Sequence, residues 1–240
     1  MLGISPFFYG MREEVLWPGG PVLETHPGVF PLGTDAVLLA DFCNAPKEGC
    51  VCDLGSGTGF LLVRLLWENP GLFGMAAEID AAAAENTRVN LRRNGLSGRG
   101  CVCEEDLRQM GEQGEFDLAV ANPPYFPKES PGKNPARKET YLTFRELCET
   151  AFRMLKPQGR FCFVHRPERL AELCRTLEET GFTLSHRCTV RDRADKAPCL
   201  VLVEAVRDGK EKDCRCSELI LRDENGGYTR EYQRIYRMEE

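Results

Sequence analysis

Asn122-Pro123-Pro124-Tyr125 puts an amide, two prolines and an aromatic ring in four consecutive positions. The side-chain oxygen of Asn122 and the backbone carbonyl of Pro123 form a pair of acceptors. Proline fixes the backbone there and brings no N–H to compete for them. Two acceptors on the two N–H bonds of a conjugated amino group draw electron density back onto its nitrogen and hold the lone pair outward. Tyr125 adds a flat face on which a planar substrate can lie. The same residues also serve as a strand stop and turn, since Asn-Pro dipeptides commonly do so. Chemistry is indicated only if a reaction partner is held beside the turn.

A second constellation supplies a place for one. Asp53-Leu54-Gly55-Ser56-Gly57-Thr58-Gly59 follows a short apolar run and precedes a helical one. Glycines at such a handover let the backbone turn sharply and approach a ligand closely. A dinucleotide fingerprint requires a third glycine at the position held here by Phe60, so that class of ligand is disfavoured. Two more acids follow, Glu78 and then Asp106 in Glu104-Glu105-Asp106-Leu107. Either one alone reads as a solvated loop carboxylate. Three acids at three successive strand ends lie on the carboxyl edge where open sheets bind ligands.

These residues need a scaffold, and the pattern from residue 49 onward supplies one. Apolar runs at 50–54, 72–79, 100–104, 116–121, 160–164, 182–190 and 199–206 read as strands. Helical stretches at 60–68, 81–94, 141–155 and 167–180 fall between them, as in a parallel sheet wrapped by helices. The last two strands follow each other without a helix and read as an antiparallel pair. Asp80 is placed to cap the helix after it, and Gly95 and Gly181 close two others. Residues 1–48 read as irregular Gly/Pro-rich sequence ending in a short helix at 35–43, with Thr34 as its N-cap. Residues 124–140 carry no apolar period and read as a mobile surface loop attached to the Asn122 turn. The expected organisation is one compact domain: a segment 1–48 packing over the ligand site and a catalytic unit 49–240.

The Asp53-to-Gly59 spacing resembles the S-adenosylmethionine loop of class I methyltransferases. Asn-Pro-Pro-Tyr at the fourth strand end resembles the motif of their amino-group N-methyltransferases. This resemblance implies an α/β, Rossmann-like fold with a seven-stranded, mostly parallel sheet of order 3-2-1-4-5-7-6 and helices on both faces. It implies S-adenosylmethionine as cofactor, with Asp53, Gly55, Ser56, Gly57, Gly59 and Asn122 around it. Glu78 would take both ribose hydroxyls, and Asp106, next to Leu107, the adenine amino group. Asn122, Pro123, Pro124 and Tyr125 would be the catalytic turn. The motif names the chemistry rather than the substrate, because adenine-specific DNA enzymes, RNA enzymes and release-factor glutamine enzymes share it.

Phe30-Pro31-Leu32-Gly33-Thr34-Asp35, with the Leu38-Leu39 that follows, narrows the choice. It is similar to a segment of the bacterial tRNA adenine N6-methyltransferases that modify the adenosine 3′ of the anticodon in a valine tRNA. Similarity continues at Ala136-Arg137-Lys138-Glu139, Leu219-Ile220-Leu221-Arg222 and Tyr228-Thr229-Arg230-Glu231-Tyr232, covering about residues 23–240. By this resemblance Gly33 and Thr34 close over the methionine end of the cofactor. Tyr125, Phe126, Lys128, Arg137 and Lys138 would meet the substrate. The glutamine enzymes typically carry a helical N-terminal domain, which the Gly/Pro-rich first 48 residues do not supply. A DNA enzyme would need a target-recognition domain for which no room is left. A guanine N2-methylating rRNA enzyme stays open, as does a catalytically dead relative acting as a binding module, although both motifs are intact.

Composition sets the remaining bounds. With 240 residues, 42% hydrophobic and 28% charged, the chain reads as an ordinary globular protein. No run resembles a secretory leader or a membrane span, so the expected location is the cytoplasm, without membrane partners. The net charge of −6 is unusual for a nucleic-acid binder. Phosphate contacts are therefore expected from two local clusters: Arg88, Arg92, Arg93 and Arg99, and the stretch from Lys128 through Lys133, Arg137 and Lys138 to Arg145. The alternative is that both are solvated faces. Twelve cysteines at mostly strand and helix positions read as buried thiols rather than a disulfide scaffold. No Cys-x2-Cys spacing occurs, so no metal is expected, Cys214/Cys216 being the residual candidate. The expected partner is tRNA, and the assembly a monomer or homodimer.

Overall fold

A computed structural model describes residues 11–111, 114–123, 142–210 and 213–238. In chain order its elements are β1 (Arg12–Val15), β2 (Val22–Thr25), α1 (Thr34–Phe42), β3 (Glu48–Leu54) and α2 (Phe60–Glu68). Next come β4 (Gly71–Ala77), α3 (Ala81–Arg93), β5 (Gly100–Cys103), β6 (Phe116–Ala121), α4 (Phe144–Met154) and β7 (Leu155–His165). The chain then forms α5 (Leu170–Glu179), β8 (Phe182–Arg191), β9 (Leu200–Arg207), β10 (Arg215–Ile220) and α6 (Arg230–Ile235).

Alternation of short apolar strands with amphipathic helices leaves both faces of the sheet to be covered. The strands order as β10-β8-β9-β7-β6-β3-β4-β5. The seven from β5 to β8 reproduce the expected 3-2-1-4-5-7-6, and β9 runs antiparallel to both its neighbours. The strand count is eight rather than seven, because β10 pairs in parallel with β8. Without β10, the ten-residue β8 would end the sheet as a long open edge. Leu219 of β10 is buried in the bargain.

Two cores result. One gathers Leu61, Leu62, Leu65 and Leu66 of α2, Leu38 and Leu39 of α1, and Ile235 of α6 against Val51, Leu118 and Val120. The other packs Leu147, Ala151 and Met154 of α4 and Leu173 and Leu177 of α5 against Cys52, Ala119, Phe161 and Phe163. All twelve cysteines are free thiols, and Cys43, Cys52, Cys148, Cys162 and Cys188 are buried. Burial pushes the Cys43 and Cys148 thiols up to about 12, which suits packing rather than reactivity.

Residues expected to be irregular instead contain the β1–β2 hairpin. Strand β2 buries Leu23 in the first core and is also tied by its backbone to a helix. Asn86 and Asn90 of α3 and Asn94, its C-cap, bond the backbone of Val22, Glu24 and His26. Two helix starts behave differently. Asp80 caps α3 by accepting the Ala83 N–H at 2.9 Å, as its position predicts. Thr34 does not cap α1: Gly33 is the N-cap, without a side-chain bond, and Thr34 is already helical. The Asp35 carboxylate takes the local amide of Ala36 and fills the space over Gly33, which leaves the threonine no capping role. Among the described residues, no helix is long and apolar enough to cross a membrane.

Candidate active site

Strand β3 hands over to α2 through Gly55, Gly57 and Gly59, whose φ angles are 79°, 55° and 75°. L side chains rarely adopt such angles, so the loop's path depends on glycine. A Cβ at Gly57 would meet nothing within 4 Å, so the backbone lies open to a ligand on that side. At Gly59 a Cβ would sit 2.5 Å from the Thr87 methyl, so that glycine is required by packing as well. The loop hangs from β4 through Gly55 N–H, which donates to the Ala77 carbonyl at 2.8 Å.

At the foot of the loop lies Asp53, completely buried, with neither carboxylate oxygen bonded to any partner. Burial pushes its carboxyl up to about 7; the Leu62 amide acts in the opposite direction without closing a bond, and the Glu78 charge raises it further. A buried carboxylate without a donor is costly unless a ligand completes it. The ammonium at the methionine end of S-adenosylmethionine is such a donor, so Asp53 and the open glycine backbone fit that cofactor. Glu78 stands just beyond β4 and is half-buried. Its carboxylate accepts the Gly57 N–H at 2.9 Å and the Asp80 N–H at 3.0 Å, which orients it while leaving lone pairs for hydroxyls.

Asp106 is engaged more completely. Its oxygens accept the backbone N–H and the guanidinium of Arg108, which holds its carboxyl below the usual range. An adenine amino group would have to share it or displace that arginine. Leu107 beside it is buried and offers an apolar edge. Leu32, adjacent to Gly33, and Phe60, adjacent to Gly59, line one cavity of about 360 Å³ with Trp17 and Arg64. Thr34 itself is exposed.

The nucleophile side leaves β6, the immediate neighbour of β3. Asp53, two residues before Gly55, is in register with Val120, two residues before Asn122. Asn122 and Pro123 are both half-buried at this edge. Asn122 and Pro123 thus follow directly on β6, the neighbour of the strand that leads into the glycine loop. Pro124, Tyr125, Phe126, Lys128, Arg137 and Lys138 lie outside the described residues.

The cations of the 88–99 cluster are engaged with partners inside the protein. Arg88 pairs with Glu104 and Glu85, Arg92 with Glu85, and Arg93 with Glu24 and Glu13. Arg99 donates to the carbonyls of Leu66, Asn69 and Leu72 and closes the end of α2. The acids that pair with them are Glu85 of α3 itself, Glu13 and Glu24 of the hairpin and Glu104 just after β5, all outside the stretch 87–99. Arg145 pairs with Glu179. Among the described residues, no group of three or more His, Cys, Asp or Glu is placed to hold a metal ion. What the sequence missed in the site are Thr87 and Asn90 of α3, which contact the glycine loop. Their only signal was the Asn spacing at 86, 90 and 94, which marks one helix face.

The family model described as methyltransferase small domain matches residues 22–181. The tRNA1(Val) (adenine(37)-N6)-methyltransferase of Cronobacter sakazakii is 31% identical over 209 residues, covering 84% of each chain. A predicted O-methyltransferase from Agrobacterium tumefaciens superposes with TM-score 0.70 at 20% identity, over 85% of this chain and 96% of that one. The geranyl diphosphate C-methyltransferase of Streptomyces coelicolor A3(2), solved with S-adenosyl-L-homocysteine, gives TM-score 0.55 at 14% identity, over 72% of this chain and 74% of that one. The chain belongs to the methyltransferase small domain family and is an S-adenosylmethionine-dependent methyltransferase.

Proposed function

We propose that this methyltransferase modifies N6 of an adenine in tRNA, the adenosine 3′ of the anticodon of tRNA(Val). The observation that carries the reading is the register of neighbouring strands, in which Asp53, just before the glycine loop, stands opposite Val120, just before Asn122-Pro123. The name of the Cronobacter sakazakii relative supports adenine in tRNA as the target. The reading keeps residues 1–48 as a segment over the cofactor site, 49–240 as the methyltransferase unit, and the cytoplasm as the location.

When bound, the cofactor supplies a methyl group already activated by its sulfonium. Asp53 would hold the methionine end, with Gly33, Thr34, Gly55, Ser56, Gly57 and Gly59 around it. Glu78 would hold the ribose, and Asp106 and Leu107 the adenine end. The work left to the protein is on the nucleophile. An exocyclic amino nitrogen shares its lone pair with the ring. The Asn122 side-chain oxygen and the Pro123 carbonyl, accepting its two N–H bonds, return that density to nitrogen and aim it. The sequence assigns Tyr125, next to Pro124 in the turn, as the stacking surface for a base taken out of its stack. Phe126, Lys128, Arg137 and Lys138 are the assigned substrate contacts.

The test is a radiolabelled methyl-transfer assay over total tRNA, rRNA and release factor, followed by nucleoside and amino-acid analysis. Label in N6-methyladenosine of tRNA is the expected result. Label in protein glutamine, or in N2-methylguanosine of rRNA, would overturn the substrate and leave the amino-group chemistry. Cofactor binding without transfer to any of the three would leave a binding module.

A further inference from the structure

Helix α3 faces two elements at once. Asn86, Asn90 and Asn94 recur every four residues and so share one face. Asn86 and Asn94 reach β2 and the residue after it, and Asn94 also reaches a carbonyl of its own helix. Asn90 does more. It accepts the Glu24 N–H at 2.7 Å, donates to the Glu24 carbonyl at 2.8 Å, and donates to the Thr58 carbonyl in the glycine loop at 2.8 Å. Three residues earlier, Thr87 donates its hydroxyl to the Gly57 carbonyl at 3.1 Å. Its single proton is then committed, so the Ser56 hydroxyl, 3.2 Å away, donates to it. Both side chains are fully buried.

A loop of alternating glycines has few side chains to hold it and a large entropy to lose on ordering. Here two consecutive loop carbonyls, of Gly57 and Thr58, are drawn toward α3. Because the peptide unit is planar and trans, pinning the Gly57 carbonyl there turns the Thr58 N–H away from α3. The Thr87 methyl also fills the space under Gly59. We propose that Thr87 and Asn90 are positioning residues that hold the glycine loop in its cofactor-binding shape. The inference rests on the reading of that loop as the cofactor site.

Asn94 provides the control, because it anchors the same hairpin through Val22 without touching the loop. Thermal melts, calorimetric titration with S-adenosylmethionine and methyl transfer at varied cofactor concentration are compared across variants. Asn90→Ala and Asn94→Ala are both expected to melt earlier. Only Asn90→Ala is expected to weaken cofactor binding, by about tenfold, as for one buried hydrogen bond left unmade. Thr87→Val, which keeps the shape and loses the hydroxyl, should weaken it about fivefold, and Thr87→Ser should restore it to within about twofold. In Asn90→Ala and Thr87→Val the loss should appear in KM for the cofactor, with kcat retained. Equal affinities for Asn90→Ala and Asn94→Ala, or a Thr87→Ser no better than Thr87→Val, would overturn the proposal. Asp53→Ala separates the two levels. If Asp53→Ala binds the cofactor normally, the site reading itself fails. If it loses binding while Asn90→Ala and Thr87→Val do not, only the positioning role fails.

Discussion

The glycine loop and the Asn122-Pro123 turn leave the same edge of one sheet, from neighbouring strands, yet they are held by different means. The loop is tied from three sides: to Ala77 of β4, to the Glu78 carboxylate, and to Thr87 and Asn90 of α3. The turn, as far as Pro123, follows directly on β6, which pairs with β3 on one side and β7 on the other. The donor half is therefore a redundantly supported binding surface, in which losing one support weakens affinity by degrees. In the proposed function, the acceptor half concentrates its chemistry in one amide and one carbonyl. Damage there should remove rate and leave binding in place.

The largest effect should come from that half. Asn122→Ala is expected to cut methyl transfer by about 10²–10³-fold, the usual size for losing one transition-state hydrogen-bonding group. Calorimetry should show cofactor affinity within about threefold of wild type. A comparable loss of affinity would place Asn122 in the donor half instead.

Gly59→Ala strikes the donor half through its backbone. The left-handed φ and the Thr87 methyl both oppose a Cβ there. Melting should fall by roughly 4–8 °C, about 2 kcal/mol for a chain of this size, together with cofactor affinity.

Asp53 gives the comparison a pH signature. Its carboxyl stands at about 7 in the folded protein, against about 3.9 for an aspartate in an unfolded chain. Between those values the folded state keeps a proton that the unfolded chain has released. Stability of the cofactor-free protein should therefore fall as pH rises from about 4 to about 7, then level off. Asp53→Asn should flatten that slope in melts taken across the range. Near pH 6, binding the cofactor's ammonium should expel the Asp53 proton, which titrations in buffers of different ionisation enthalpy will register.

The smallest effect concerns charge. Arg92 is already paired with Glu85, so Arg92→Gln should change RNA affinity by less than about twofold and leave its salt dependence alone. Arg137→Ala/Lys138→Ala should weaken RNA binding and lower the salt slope by roughly one to two, with cofactor affinity intact. Equal responses from the two sites would erase the distinction between paired and substrate-facing cations.

Legibility in the sequence follows the range of the interactions. The strand, glycine loop and helix around Asp53 to Gly59, the end of β6 at Ala121 and the Asp80 cap were readable because residues close together in sequence define them. The antiparallel β8–β9 pair was readable from two strands with no helix between. The β1–β2 hairpin was not, since β2 is held by asparagines more than sixty residues away, whose polarity reads as surface. The α3 arginines read as a free cationic patch because two of their partners, Glu13 and Glu24, lie far upstream. Strand β10 escaped for a related reason. Its alternation is weak, and only the need to cover β8 gives it a role.

The central claim is that binding and reactivity are divided between these two strand ends. It is tested most directly by single-turnover methyl transfer to tRNA as a function of cofactor concentration, for wild type, Asn90→Ala and Asn122→Ala. Asn90→Ala should reach the wild-type plateau at higher cofactor concentration, and Asn122→Ala should saturate normally at a plateau about 10²–10³-fold lower. An Asn122→Ala plateau within twofold of wild type would contradict the account.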